Sequence, residues 1–562
     1  MKKHIAILLL FAATAISASA QRLPAELQKL MNAEYYISHF YVDTVNETKL
    51  VEDAIVGMLE KLDPHSAYTT AKETKALEEP LKGEFSGIGI QYNMKKDTLY
   101  VIQTILNGPS ERVGILPGDR IIYVNDTTIA GVKATTSDIQ KKLRGKKGTK
   151  VTVKVKRGNN PELITFVITR DKIPLYSVDA SYMLDDKTGY VKISSFGAKT
   201  YGEMMQALDK LEKQGMKQVI IDLSDNGGGY MDAAIKMVNE FLDEGQMIVF
   251  TQGNRQPRNE AKAYGNGKYK DLKLAVVVSQ YSASASEIFT GAMQDWDRGI
   301  VIGRRSFGKG LVQRPVPFED GSMIRLTVAR YYTPSGRCIQ KPYEKGNKKG
   351  YEEDLYDRYK DGEYYHIDSI KFNDSLKYET LRNHRTIYGG GGIMPDIYVP
   401  VDTSEYTTYY RDLLAKGVIY QYALDYVDKH RAELKKKYKD ARDFDAHFSF
   451  SESDIKAFIA AGEKEKVKYD EEQFKTSKNL LLDILKGVVC RDLMVDDENA
   501  YSIVLSHRNK DVQTALKAIN DDAEFNRLLK YGNQEYEKIA AKRKAEATQK
   551  KAEAEAKKTE KK

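Results

Sequence analysis

The stretch from Leu274 to Gln313 constrains the fold most. Leu274 to Val278 is a short apolar run rich in β-branched residues, which suits a buried strand. Small residues follow, from Ser282 to Ser286. Ile288, Phe289, Ala292, Met293 and Trp296 then recur on one face of a helix. Gly299 to Gly303 reads as the next strand, and the loop after it holds Phe307-Gly308-Lys309-Gly310. Strand, serine-bearing turn, helix, strand and lysine-bearing loop together bring a nucleophile and a base to neighbouring strand ends.

A serine hydroxyl is a weak nucleophile at neutral pH and needs a base within hydrogen-bond reach. A lysine serves if its amine is neutral, and burial lowers a lysine pKa by up to roughly 3–5 units. Lys309 lies between two glycines and beside few charges, which suits an inward-pointing amine. A serine at a helix start also lies next to free backbone N–H groups that can face an oxyanion. A plainer reading stands beside this one: Ser284-Ala285-Ser286-Glu287 is also a capping box, and a glycine-flanked lysine is an ordinary loop residue.

The stretch resembles the catalytic core of the C-terminal processing peptidases, or tail-specific proteases. These are serine peptidases with a Ser–Lys dyad and a PDZ domain. Their pattern of SASASE, FGKG and a following glutamine is present in full here. The resemblance implies Ser284 as nucleophile, Lys309 as general base and Gln313 as the residue positioning the lysine amine. Ser282 and Ser286 are the local alternatives for the nucleophile. The implied fold is multi-domain α+β: N-terminal helices, a β-rich PDZ domain, an α/β protease core and a C-terminal helical extension.

Residues 1–20 read as a cleavable export signal, with Lys2 and Lys3, an apolar centre from Ile5 to Ile16, and Ala18-Ser19-Ala20. The apolar part is shorter than the ~20 residues of a spanning helix. The mature chain is therefore expected to lack a transmembrane segment and to be periplasmic, with peripheral association with the envelope left open. Two cysteines, Cys338 and Cys490, exclude a disulfide framework and leave their redox state undetermined. The net charge is +8, of which the last 22 residues carry +5 and the signal +2. The remaining body is too balanced for a nucleic-acid footprint.

Residues 21–81 read as helical up to the turn Asp63-Pro64-His65-Ser66, a turn that the resemblance treats as structural. Residues 85–172 read as a PDZ domain, with strands at Leu99 to Thr104, Arg120 to Val124, Lys150 to Val155 and Leu163 to Ile168 and a helix over Thr136 to Leu143. Gly87, Ile88, Gly89 and Ile90 form its carboxylate-binding loop by resemblance. Successive N–H groups there make an anion nest, and Ile88 and Ile90 help line an apolar pocket.

Residues 174–402 are the peptidase domain. The strand from Lys217 to Leu223 leads into Ser224-Asp225-Asn226-Gly227-Gly228-Gly229. The family usually has arginine at the position of Ser224 and often proline at that of Gly227, so this chain departs at both. Gly228 is the best match for one oxyanion donor, and the N–H of Ala285 is the other. Residues 341–390 are an insertion, expected on the surface as a gate, a partner site or a solvated excursion. Residues 403–540 read as a C-terminal helical domain and 541–562 as a Lys/Ala/Glu-rich tail.

The function expected is an exported serine endopeptidase. Its PDZ domain takes protein C-termini and its dyad hydrolyses peptide bonds through an acyl-enzyme. No HExxH and no Cys/His cluster implies a metal or another cofactor. The expected partners are proteins and peptides with exposed C-termini, with an adaptor protein and homo-oligomerisation left open. The alternative is a catalytically silent PDZ scaffold.

Overall fold

A computed structural model describes residues 23–559 apart from 96, 159 and 372. Residues 1–20, read above as an export signal, and residues 560–562 lie outside the described residues. No helix among the described residues is long and apolar enough to cross a membrane. The architecture is multi-domain α+β, built on three principal sheets.

The peptidase core is a six-stranded sheet. Its order is Val178–Met183, Thr188–Ile193, Gln218–Asp222, Lys273–Val278, Ile300–Gly303 and Ile397–Tyr398. The first pair is antiparallel and the rest are parallel. Alternation along the strands divides the core in two. Val219, Ile221, Leu274, Val276 and Val278 pack under the helices Thr200–Lys213, Met231–Asn239 and Ala285–Asp295. Ile220, Ala275, Val277, Ile300 and Ile302 face the opposite way.

That second face is covered by Val512, Ala515, Ile519, Phe525 and Leu528. They lie on the helices Lys510–Asn520 and Asp522–Tyr531. The structure differs here from a C-terminal helical domain running over 403–540. Helices between Tyr409 and Val504 enclose their own core, whereas the two helices after them complete the peptidase sandwich. Parallel strands are buried on both faces, so a cover from elsewhere in the chain is needed. The chain then runs on as the helix Gln534–Thr559.

A second, five-stranded sheet combines Ala67–Thr69, Met323–Tyr332, Met247–Gly253, Gln256–Lys262 and Leu311–Pro317. Ala67–Thr69 follows the Asp63–Ser66 turn and pairs with Met323, Ile324 and Arg325. The N-terminal segment is thus sewn into the peptidase domain. The PDZ domain has its own sheet of six strands, and among the described residues Ile90–Lys95 is an edge strand with no other strand on one side. A two-stranded ribbon, Glu84–Gly87 against Asp171–Pro174, joins it to the peptidase domain.

The insertion is a buttress, not a solvated excursion. Its helix Lys348–Lys360 lies behind the loop that carries Lys309. Arg358, buried, donates to the carbonyls of Arg305 (2.7 Å) and Ser306 (3.1 Å) and pairs with buried Glu363. Glu363 also pairs with Arg305. The Lys341 ammonium sits over the rings of Phe307 and Tyr351, at 4.2 and 4.1 Å from their centroids. A helix making such contacts cannot leave without orphaning buried charge. Arg358→Ala strands Glu363 with one partner and is expected to cost about 3 kcal/mol. The cost should appear as a lower urea midpoint than wild type.

Candidate active site

Ser284 is the N-cap of the helix Ala285–Asp295 and has φ +57° and ψ −115°. A side-chain-bearing residue adopts this region only when its surroundings force it. Four hydrogen bonds hold it. Its N–H donates to Glu287 Oε2 at 2.8 Å. Its carbonyl accepts from the N–H groups of Glu287 (2.9 Å) and Ile288 (3.0 Å) and from the hydroxyl of buried Tyr331 (3.1 Å). The sharp turn lifts the serine side chain out of the strand and into a cleft.

The neighbouring serines do other work. Ser282 and Ser286 are fully buried, whereas Ser284 is partly exposed. Ser282 Oγ donates to the Leu223 carbonyl at 2.7 Å, and Ser286 Oγ to the Asn226 carbonyl at 2.8 Å. Both tie the serine turn to the glycine loop, which leaves Ser284 facing the cleft.

Glu287, the fourth residue of the capping box, does more than cap. It is 0% exposed. One oxygen accepts from Ser306 Oγ (2.5 Å) and the Gly308 N–H (2.7 Å). The other accepts from the N–H groups of Ser284 (2.8 Å) and Lys309 (2.9 Å). One carboxylate therefore grips the backbones of both residues. Burial pushes its pKa above the ordinary range, against the hydrogen bonds that favour the charge.

Ser284, Ala285, Gly228, Lys309 and Gln313 line one cavity of about 550 Å³. Its walls are largely apolar, with Ile288, Leu311, Met323 and, from the helix Ala71–Lys82, Leu77 and Leu81. Burial pushes the Lys309 pKa below the ordinary lysine value, and like charge from Arg325 adds to this. Glu287 and Asp63 oppose the shift. His65 also faces this lysine; burial and the Lys309 charge lower its own pKa to about 4, so at neutral pH it carries no charge.

The glycine loop departs from expectation at one atom. The Gly228 N–H donates to Asn226 Oδ1 at 2.8 Å and is not free to face an oxyanion. The N–H groups of Gly229 and Ala285 make no hydrogen bond to protein among the described residues, and both residues line the cavity. Gly228 serves by its lack of a side chain. It has φ +98°, and a Cβ there would stand 2.7 Å from the Ala283 carbonyl oxygen and 2.9 Å from the Ala285 nitrogen. At Ser224, where the resemblance expects arginine, Lys192 supplies the cation. Its Nζ lies 3.2 Å from Asp222 and 2.7 Å from Ser224 Oγ.

In the PDZ domain, Gly87 ends one strand and Ile90 begins the next, with Ile88 and Gly89 forming the loop between them. Ile90 is half-buried against the PDZ core. Ile88 is 3% exposed and packs within the PDZ core. The backbone is what the loop presents. The Ile88 carbonyl is held by Ser110 through its N–H (3.0 Å) and Oγ (2.7 Å).

Comparison with known proteins agrees with this layout. Residues 187–354 match peptidase family S41, 86–167 the PDZ domain, and 11–74 the N-terminal domain of the activating protease CtpB. Residues 409–496 match a family of unknown function. A probable CtpA-like serine protease of Staphylococcus epidermidis is 37% identical over 318 residues, 56% of this chain and 63% of that protein. One from Staphylococcus saprophyticus is 39% identical over 302 residues, 53% of this chain and 60% of that protein. The matches thus span less than two thirds of these relatives' own length. The solved photosystem II D1 C-terminal processing protease is 28% identical, covering 57% of this chain and 91% of that one, with a TM-score of 0.33.

Adding a methyl group at Gly228 tests the close approach. Gly228→Ala is expected to lose about 1–3 kcal/mol from strain at positive φ and from collision with the serine turn. A lower thermal midpoint would register it. An S41 peptidase domain, a PDZ domain and a CtpB-type N-terminal domain thus follow one another in this one chain, the set that its resemblance to the C-terminal processing peptidases implies.

Proposed function

We propose that this protein is a serine endopeptidase that works through a Ser284–Lys309 dyad and takes its substrates by their C-terminal tails. One observation carries the reading. A partly exposed serine, held in a strained turn, shares a largely apolar cavity with a lysine whose amine burial drives towards neutrality. Neutral Lys309 Nζ takes the proton of Ser284 Oγ as that oxygen bonds to the scissile carbonyl carbon. The oxyanion is met by the N–H groups of Ala285 and Gly229. Lys309 then gives the proton to the leaving amine as the C–N bond breaks. Water, deprotonated by the same amine, bonds to the acyl carbon; the C–O bond to Ser284 Oγ breaks and the lysine returns the proton to that oxygen. Gln313 positions the lysine amine.

The PDZ domain supplies the tail recognition. A free carboxylate suits the N–H groups of the Gly87–Ile90 loop, and an extended peptide can add to the open edge of Ile90–Lys95. The basic, apolar and small-residue succession of residues 1–20 supports export to a periplasm. Homo-oligomerisation and an adaptor protein stay within the proposal as partners of the intact enzyme.

The test is digestion of an unfolded protein with an apolar C-terminus. Wild type should cut it. Ser284→Ala and Lys309→Ala should each lose at least ~10²-fold in rate. Lys309→Arg should be equally inert, because a guanidinium keeps its proton. A Lys309→Ala protein that still cuts would place the base elsewhere. The pH profile is a separate check. The base must be neutral, so kcat/KM should fall as pH drops through the Lys309 pKa. The midpoint of that acid limb should lie below 10.5, the ordinary lysine value. Removing the Arg325 charge should move the limb upward. An acid limb at or above 10.5 would contradict the assignment.

A further inference from the structure

The turn Asp63-Pro64-His65-Ser66 is far in sequence from the peptidase motifs, yet it is wired to one of them. Gln313 Nε2 donates to Thr327 Oγ1 at 3.3 Å. Thr327 Oγ1 donates to Asp63 Oδ1 at 2.8 Å. The Thr327 N–H donates to Ser66 Oγ at 3.1 Å, and Ser66 Oγ donates to Asp63 Oδ2 at 2.5 Å. The N–H groups of His65 (2.9 Å) and Ser66 (3.1 Å) complete the shell of Asp63 Oδ1. Pairing of Ala67–Thr69 with Met323–Arg325 holds the turn in this place.

The directions of these bonds follow from chemistry. Asp63 receives four donors, and burial is outweighed by them, so its carboxyl stays below the ordinary range and ionised. An ionised carboxylate only accepts. The single Thr327 hydroxyl proton must therefore point at Asp63. Thr327 Oγ1 can then only accept from Gln313, which obliges Gln313 to turn its NH₂ group to Thr327. The amide carbonyl oxygen is then free to turn towards the cavity that Gln313 and Lys309 both line. A lysine amine that has no carboxylate partner in an ion pair among the described residues is a donor needing such an acceptor.

We propose that Asp63 is a positioning residue of the active site, which acts through Thr327 to fix the Gln313 amide with its carbonyl oxygen towards the Lys309 amine. The N-terminal segment would then complete the base side of the site, not merely precede the PDZ domain. The inference rests on the peptidase reading for its kinetic consequence, and on the hydrogen-bond chain for its geometry.

Two readouts test it. The first needs no activity. In the Ser284→Ala protein with 15N-labelled glutamine, the Gln313 side-chain amide signal is identified by its loss on adding Gln313→Ala. Thr327→Val and Asp63→Asn should each shift that signal, and Thr327→Ser should restore it. A signal unmoved by Thr327→Val would overturn the relay, whether or not the wild type cuts any substrate.

The second readout is kinetic, on an unfolded protein substrate. Thr327→Val should lower kcat on the order of 10- to 100-fold with KM little changed, as expected when a reacting group is misplaced. Thr327→Ser should recover most of the loss. In a Gln313→Ala background, Thr327→Val should cost nothing further. An equal loss in both backgrounds would mean that Thr327 acts on folding alone, and would overturn the proposal. A wild type that cuts nothing would instead refute the peptidase reading, and the amide signal would still decide the relay. Thermal midpoints of the variants separate misplacement from unfolding.

Discussion

One buried carboxylate holds the site together. Glu287 has four hydrogen-bond donors, and two of them are the backbone N–H groups of Ser284 and Lys309. The other two, from Ser306 and Gly308, fix the loop that leads to the lysine. A charge this deeply placed survives only when its lone pairs are fully engaged. The serine turn and the lysine loop therefore cannot drift apart without exposing an unsatisfied anion. The same bonds keep Ser284 at a positive φ that it would otherwise abandon.

The remainder of the site is assembled from pieces distant in the chain. The glycine loop backs onto the serine turn so closely that only Gly228 fits. The insertion braces the lysine loop from behind through Arg358, Lys341 and Tyr351. The N-terminal turn reaches Gln313 through Thr327. Each piece removes water from the lysine or limits its motion. The lowered pKa of Lys309 results from that shared enclosure and the like charge of Arg325, against Glu287 and Asp63.

Much of this is legible in the sequence. The strand–turn–helix–strand pattern from Leu274 onwards, the PDZ strands and the Thr136–Leu143 helix all show in hydrophobic periodicity and turn chemistry. The convergence of Ser284, Lys309 and Gln313 follows from their places at successive strand ends. Most of what escapes is long-range. Glu287 looks like a helix cap because the four-residue window cannot show what meets it from residues 306–309. The Gly228 N–H is lost to Asn226 two residues earlier, a local side-chain competition that spacing alone does not reveal. The cover supplied by Val512 to Leu528 has one signal. The Leu274–Val278 run is apolar at every position, so its strand has two buried faces, and the helices nearest in sequence occupy only one. The charged, tyrosine-rich insertion reads as solvated because many of its buried residues are charged or tyrosine, among them Arg358, Lys341 and Tyr351, whose burial depends on partners elsewhere.

The account turns on the protonation of one side chain. Lysine labelled with 13C at Cε reports that state directly by NMR, with the Lys309 signal identified by its loss in Lys309→Arg. The account predicts that Lys309 titrates below the ordinary lysine value of 10.5, apart from the bulk of the lysines. Titration at or above that value would mean a charged ammonium at working pH, and the Ser284–Lys309 dyad could not operate as described.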